Sequence, residues 1–244
     1  MKPFLRWAGL FVLAAVLLEL FFILRIASML VIDPQSTSFQ RSEAWQQVST
    51  RGTLKWRQAW IPYGELPDNL KRAVIASEDG DFINHDGVEW DAIEKAWQKN
   101  ARAEAQAAKR LQAAKPGAPR PPKIVGGSTI TQQLAKNLLL SGERSLLRKG
   151  QEFVLTMALE LFLGKKRILE IYLNSVEWGD GVFGAEAAAQ HYFRKPASRL
   201  TAYEAARLSV MLPRPKYFEK LPSSAYVSGR ASTIVARMGD AELP

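Results

Sequence analysis

Between Phe4 and Ile32 the sequence holds almost nothing that water would solvate. FLRWAGLFVLAAVLLELFFILRIASMLVI is broken only by Arg6, Glu19, Arg25 and Ser28. Roughly 20 apolar residues carry a helix across a bilayer, so this stretch decides the architecture before anything else is read. It is too long for the apolar region of a signal peptide, and no clean A-x-A site follows it. A retained transmembrane anchor is therefore expected, in preference to a cleaved leader or a buried core helix. Lys2 and Arg6 precede the run and place the N-terminus in the cytoplasm, with everything after residue 33 on the far side. Glu19 is expensive in hydrocarbon, and its role there stays open.

The remaining chain, out to residue 244, is long enough for one domain with a sizeable core. Cysteine is missing from the sequence, which excludes disulfides, a thiolate nucleophile and cysteine-ligated zinc. A formal net charge of +9 points to an anionic partner: nucleic acid, phosphates or a membrane surface. The expected division is 1–33 for the cytoplasmic N-terminus and anchor, and 34–60 for a linker with a short β-prone piece, TLKWRQAW. A catalytic domain follows over 61–225, then a C-terminal segment over 226–244.

From Pro67 the pattern is helical. LPDNLKRAVIAS puts Leu70, Ala73 and Val74 on one face and leaves Glu78 at or just past the helix end. Residues 98–123 form an insertion, an Ala/Lys/Arg-rich piece running into a Pro-rich one, which reads equally well as a lid or as a solvated linker. Helices are expected at 128–140, 144–163, 165–174, 184–193 and 201–212, the last opening on a Thr201–Glu204 capping box and stopping at Pro213. Strand signal is scarce, so the fold class is mainly α.

Three stretches carry chemistry. In SEDGDFINHDG (77–87), carboxylates crowd around Phe82 and His85. A solvated turn explains the Asp and Gly residues but not Phe82. A carboxylate at a helix C-terminus and against an aromatic ring has its pKa raised, which suits a general base. In GGSTITQQLAKN (126–137), Ser128, Gln132 and Lys136 share one helix row, with Ile130, Leu134 and Leu138 nearly opposite. Ser128 and Thr129 are N-cap candidates whose free backbone N–H groups can face an anion. In ERSLLRKGQE (143–152), Arg144, Arg148 and Glu152 recur every fourth residue with Lys149 beside them. That row is either an anion site or an ordinary surface ion-pair ladder. Lys165, Lys166 and Arg167 read as surface or membrane-facing. Metal loops fail on spacing: Ile83 and Asn84 stand where a calcium loop needs a ligand and a glycine. His85 has no partner at zinc spacing, and no phosphate-loop or dinucleotide fingerprint is present.

The motifs E-D-x-x-F-x-x-H-x-G (Glu78, Asp79, Phe82, His85, Gly87), G-G-S-T-I-T-Q-Q-x-x-K-N (126–137) and R-K-x-x-E (Arg148, Lys149, Glu152) occur in order. ILEIYLN (168–174) and WGDGVFGAEAAAQHYF (178–193) follow them. In this the chain resembles the peptidoglycan glycosyltransferases, family 51 of the glycosyltransferases, over about residues 61–220, and in particular their monofunctional, membrane-anchored members from Gram-negative bacteria. The resemblance implies a lysozyme-like helical domain with a large lobe and a small, mobile, membrane-proximal jaw. It implies an inner-membrane, single-pass protein with its catalytic domain in the periplasm. The implied reaction polymerises lipid II with inversion at the anomeric carbon and releases undecaprenyl pyrophosphate.

Carried onto this sequence, the resemblance makes Glu78 the base and Glu152 the second catalytic glutamate. Ser128, Thr129, Gln132, Gln133, Lys136, Asn137, Arg144, Arg148 and Lys149 become substrate-binding, and Asp79, Phe82 and His85 shape the loop. No organic cofactor is implied. A divalent cation (Mg or Mn) is left open, with no certain metal ligands. The implied partners are lipid II and lipid-linked glycan, the membrane and other cell-wall synthesis and division proteins, not nucleic acid. The 98–123 insertion is longer than the family pattern leads one to expect. No S-x-x-K or K-T-G appears, so no transpeptidase domain is expected. A lytic transglycosylase or muramidase of the same fold is the alternative; such enzymes do not need the clustered cations, and their G-L-M-Q signature is absent. A non-catalytic membrane scaffold would leave both glutamates without purpose.

Overall fold

The computed structural model describes residues 2–113, 127–140, 142–143 and 145–244. In chain order these form α1 (Lys2–Ser28), α2 (Ser38–Arg51), β1 (Arg57–Gln58), α3 (Asp68–Glu78), α4 (Trp90–Ala113), α5 (Ile130–Leu139) and α6 (Leu146–Ser175). There follow β2 (Glu177–Gly179), β3 (Val182–Phe183), α7 (Ala185–Phe193), α8 (Ala202–Met211), α9 (Pro215–Phe218) and α10 (Ala225–Arg237). The protein is mainly helical, as its sequence predicts. Its sheet is small, in the order β1–β3–β2, with β1 parallel and β2 antiparallel to β3.

Among the described residues α1 is the one helix long and apolar enough to cross a membrane, over Phe4–Ser28. Most of its side chains are exposed, but Ile26 and Met29 at its end are buried in the domain core. Arg167 fixes that end. Its Nε donates to the Met29 carbonyl at 2.8 Å, its Nη2 meets Asp33 at 2.7 Å, and its Nη1 meets Glu170 at 2.8 Å. Within the Lys165–Arg167 triplet Lys166 is exposed, as expected of a surface group, but Arg167 is a clamp between α1 and α6.

Within 34–60, where the sequence suggests a linker, Ser38–Arg51 is helical. Thr37 and Gln40 close a capping box at its start, and Gly52 stops it in the left-handed region. Gln40, fully buried, also donates to the Ser175 carbonyl at 3.0 Å, which pins α2 across the end of α6. Such a cap supplies about 1 kcal/mol; docking supplies the rest. Residues 98–113 of the insertion simply continue α4, and the remainder, 114–123, lies outside the described residues.

The core sits where α3, α5, α6, α8 and α10 meet. Ile130, Leu134 and Leu138 are wholly buried, so the apolar row of α5 faces inward as expected. Each such side chain contributes about 1.5–3 kcal/mol. Val227, Ala231 and Ile234 of α10 join the same core, against α3 and α8. The break expected between 163 and 165 is present as a kink: Gly164 has φ 66° inside α6. Thr201 and Glu204 cap α8 as the sequence indicates.

Gly87 is held tightly against α6. Its φ is +81°, and a Cβ there would lie 2.7 Å from Thr156 Cγ2 and 2.9 Å from Glu160 Cγ. Strain and clash together are worth about 1–3 kcal/mol. Gly87→Ala is therefore expected to lower the melting temperature by several degrees in a thermal unfolding experiment; an unchanged midpoint would mean that the loop is free to move away from α6.

Candidate active site

The loop after α3 is tied at both ends by one carboxylate. Asp79 is buried; its Oδ1 accepts from His85 Nε2 at 2.8 Å and its Oδ2 accepts from the Ile130 amide at 2.9 Å. The Gly87 amide donates to His85 Nδ1 at 3.1 Å, so the ring partners assign the proton to Nε2. Burial works against a charged imidazole, but the hydrogen bond and charge of Asp79 outweigh it and hold His85 above its ordinary pKa. Phe82 is fully buried under the loop, with the Lys165 ammonium 4.6 Å from its ring centroid. Lys165 also reaches the His85 carbonyl at 2.5 Å and Glu160 at 2.8 Å. Asp79, Phe82 and His85 therefore shape this loop.

Glu78 is the last residue of α3 and half-buried. Gln133 Nε2 donates to its Oε2 at 3.0 Å, and the fully buried Tyr172 hydroxyl donates in turn to Gln133 Oε1 at 2.9 Å. This relay orients the amide so that its NH₂ faces the carboxylate. Burial is the main cause that raises the Glu78 pKa; the Gln133 bond opposes it, Asp79 adds to it, and Ser77 and Arg230 pull it down. A carboxylate raised in this way is a stronger base than an exposed one.

Glu78 opens into a cleft of about 610 Å³. Ser128, Gln132, Gln133, Lys136 and Asn137 supply its α5 wall, and Arg148, Lys149 and Glu152 supply its α6 wall. Glu152 is buried, with Arg148 Nη1 3.0 Å from its Oε2 and Lys149 Nζ paired to its Oε1. The 148–152 row is thus part of the cleft and not a surface ladder. Both predicted glutamates and most predicted binding residues come together here.

Among the described residues, one predicted binding residue does not join this group. Thr129 is buried away from the cleft: its hydroxyl donates to the Gly87 carbonyl at 2.6 Å and accepts from the Gln132 amide at 3.1 Å. Its role is to cap α5. Arg144 lies outside the described residues. The anion expected at the α5 N-terminus turns out to be internal, since the Ile130 amide is taken by Asp79.

The sequence reading missed Phe39, Val176, Glu177, Leu212, Pro213 and Pro215, which close the cleft. They come from distant parts of the chain, and none stands in a spaced motif. Asp79, His85 and Glu89 are near enough to share a metal ion. Both Asp79 oxygens are already engaged, however, as are both Glu152 oxygens.

The family model described as Transglycosylase matches residues 46–239. The chain is also similar to proteins named biosynthetic peptidoglycan transglycosylase. That of Burkholderia thailandensis is 52% identical over 243 residues, covering 98% of this chain and 88% of the relative. That of Ralstonia nicotianae is 50% identical over 249 residues, covering 98% of this chain and 99% of the relative. That of Herminiimonas arsenicoxydans is 48% identical over 233 residues, covering 96% and 94%. With a carboxylate of raised pKa and a cation cluster facing one cleft, and with these matches over nearly its whole length, the chain belongs to the peptidoglycan transglycosylase family and is a glycosyltransferase.

Proposed function

We propose that the protein polymerises lipid II into glycan strands. The acceptor's N-acetylglucosamine C4 hydroxyl gives its proton to Glu78 as its oxygen attacks C1 of the lipid-linked N-acetylmuramic acid. The C1–O bond to phosphate breaks on the opposite face, so the anomeric centre inverts, and undecaprenyl pyrophosphate departs with the bonding pair. The observation that carries this reading is that Glu78 and the Arg148–Lys149–Glu152 cluster line the same cleft. A sugar alcohol needs a base, whereas a diphosphate already leaves as a stable anion and needs fixed positive charge instead. Glu152 holds Arg148 and Lys149 in place without neutralising both. A hydrolase of similar fold would have no use for that surplus of cations.

The apolar residues beside the cations support a membrane-proximal reaction. Leu146 and Leu147, immediately before Arg148 and Lys149, are 93% and 86% exposed, and Trp90 and Trp97 on α4 are exposed as well. A leaving group whose tail stays in lipid presents its diphosphate at headgroup level, where these side chains favour the interface. With α1 as a single anchor and Lys2 and Arg6 on its cytoplasmic side, the domain stands in the periplasm of the inner membrane. Its substrates are then lipid II and lipid-linked glycan, and other cell-wall synthesis and division proteins are its neighbours there.

Glu78→Gln is expected to lower lipid II turnover on the order of 100- to 10,000-fold while binding persists; retained turnover by purified protein would refute the base. Lys149→Ala should lower kcat/KM by about 10- to 1000-fold. Lys166→Ala, whose ammonium rests over the Tyr63 ring outside the cleft, should change it by less than about twofold. Equal, small effects would return the 148–152 row to the surface. The base must be ionised, and its pKa lies above the ordinary 4.5. Activity should therefore fall on acidification before an ordinary glutamate protonates; a kcat/KM profile flat down to about pH 4.5 would contradict this.

A further inference from the structure

The cleft continues past the groups used so far, to a wall made by Phe39 of α2, Val176 and Glu177 where α6 passes into β2, and Pro213 and Pro215 before and in α9. One member of that wall carries a carboxyl group. Glu177 is only 6% exposed. Its Oε1 makes no hydrogen bond, and the Lys216 ammonium stands 3.5 Å away. Lys216 makes its closer ion pair with Glu43 of α2, so Glu177 has only a share of one cation. A buried oxygen left in this state is unfavourable, and an apolar side chain would close the wall without that cost.

The other charged groups around it lie on the turn after β2, on α7 and just after α9. Asp180 is held by Arg51 at 2.6 Å and Lys55 at 3.5 Å. Glu219 pairs with His191 at 3.0 Å and accepts from the Asp180 amide at 2.8 Å. The Tyr192 hydroxyl donates to the Trp178 carbonyl at 2.7 Å. Burial pushes Glu177 up to about 7, with Lys216 opposing, and Glu43 and Asp180 adding to the rise. Near neutral pH the group therefore exists both as a carboxylic acid, which can donate a hydrogen bond, and as a carboxylate, which can only accept one.

We propose that Glu177 is a glycan-binding residue, its carboxyl group hydrogen-bonding an N-acetylhexosamine unit seated at the Phe39–Pro215 end of the cleft. This rests on the polymerase reading, in that a glycan is the natural occupant of a cleft with Glu78 on its wall. Phe39, Pro213 and Pro215 offer apolar faces to a pyranose ring and an N-acetyl methyl. The neutral acid offers its O–H to the acetamide carbonyl. Ionisation removes that donor and sets a carboxylate against the carbonyl oxygen, so affinity should fall as pH rises through about 7. Glutamine keeps an N–H donor at every pH; alanine keeps none.

The test titrates the full-length chain in detergent with a lipid-free tetrasaccharide of alternating N-acetylglucosamine and N-acetylmuramic acid, read by calorimetry or ligand-observed NMR at about pH 6 and about pH 8.5. One neutral hydrogen bond corresponds to about a 2- to 12-fold change in Kd. The unsubstituted chain should lose about that much affinity between the two pH values. Glu177→Gln should bind nearly equally at both, and Glu177→Ala should bind weakly at both. Absence of tetrasaccharide binding, the same pH dependence in Glu177→Gln as in the unsubstituted chain, or undiminished binding by Glu177→Ala at the lower pH would overturn the proposal. The near-isosteric glutamine decides the matter should the alanine variant fail to fold. Lipid II turnover is scored separately: its absence sinks the polymerase reading, while the tetrasaccharide affinities decide the role of Glu177.

Discussion

The Asp79 carboxylate is the point on which the site depends. It is removed from water, and both its oxygens are engaged, one by the loop through His85 and one by the first amide of α5. A buried carboxylate with one partner removed leaves an uncompensated charge, a loss of about 3–5 kcal/mol. The loop and the two helices therefore hold one arrangement. Glu78 precedes this residue directly, and Gln133 lies one turn into α5. The distance between base and amide is thus set by the same bond that closes the loop. The partial positive charge of the α5 N-terminus, which a phosphate would otherwise attract, is spent inside the protein. The cleft is left to recognise its anion with side chains.

Those side chains are arranged in advance. Glu152 is buried, and its ion pairs with Arg148 and Lys149 fix two long cations that would otherwise sample many rotamers. The fixed acid takes up only part of their charge, so the remainder faces the cleft, where Lys136 lines the opposite α5 wall. Charge held in place before a reaction stabilises developing anions more effectively than charge that must be gathered during it. The second glutamate thus acts by holding cations. That also explains why it tolerates burial, whereas Glu78, which exchanges a proton in the proposed reaction, is only half-buried.

Much of this was legible in the sequence where function and local structure shared a short stretch. Phe82 among the acids signalled a buried loop, the spacing of Ile130, Leu134 and Leu138 gave the inward face of α5, and Gly164 marked the kink in α6. What could not be read depends on residues distant in the chain. Glu177 is a single acid between Val176 and Trp178, and its surroundings come from Glu43 and Lys216. Thr129 looked like an anion ligand because N-caps and anion sites share a residue type; only the 2.6 Å bond to the Gly87 carbonyl separates them. Helix α2 was signalled by Thr37 and Gln40 at capping-box spacing, but a polar helix docked through Gln40 carries little apolar periodicity.

The role of Arg167 follows from the geometry of α6. Glu152 and Arg167 are separated by about four helical turns interrupted at Gly164, so one helix carries the cation cluster near its start and the clamp on α1 beyond its kink. If α1 spans the bilayer as proposed, the two bonds from Arg167 to Met29 and Asp33, with Glu170 steadying the guanidinium from the same helix, fix the height of the cleft above the membrane. A polymerase acting on a lipid-linked chain needs that height constant, because the diphosphate cannot leave the headgroup plane without dragging its tail into water. The polar bonds on Arg167 therefore set a distance that the apolar packing of Ile26 and Met29, free to slide along its own axis, would not define alone.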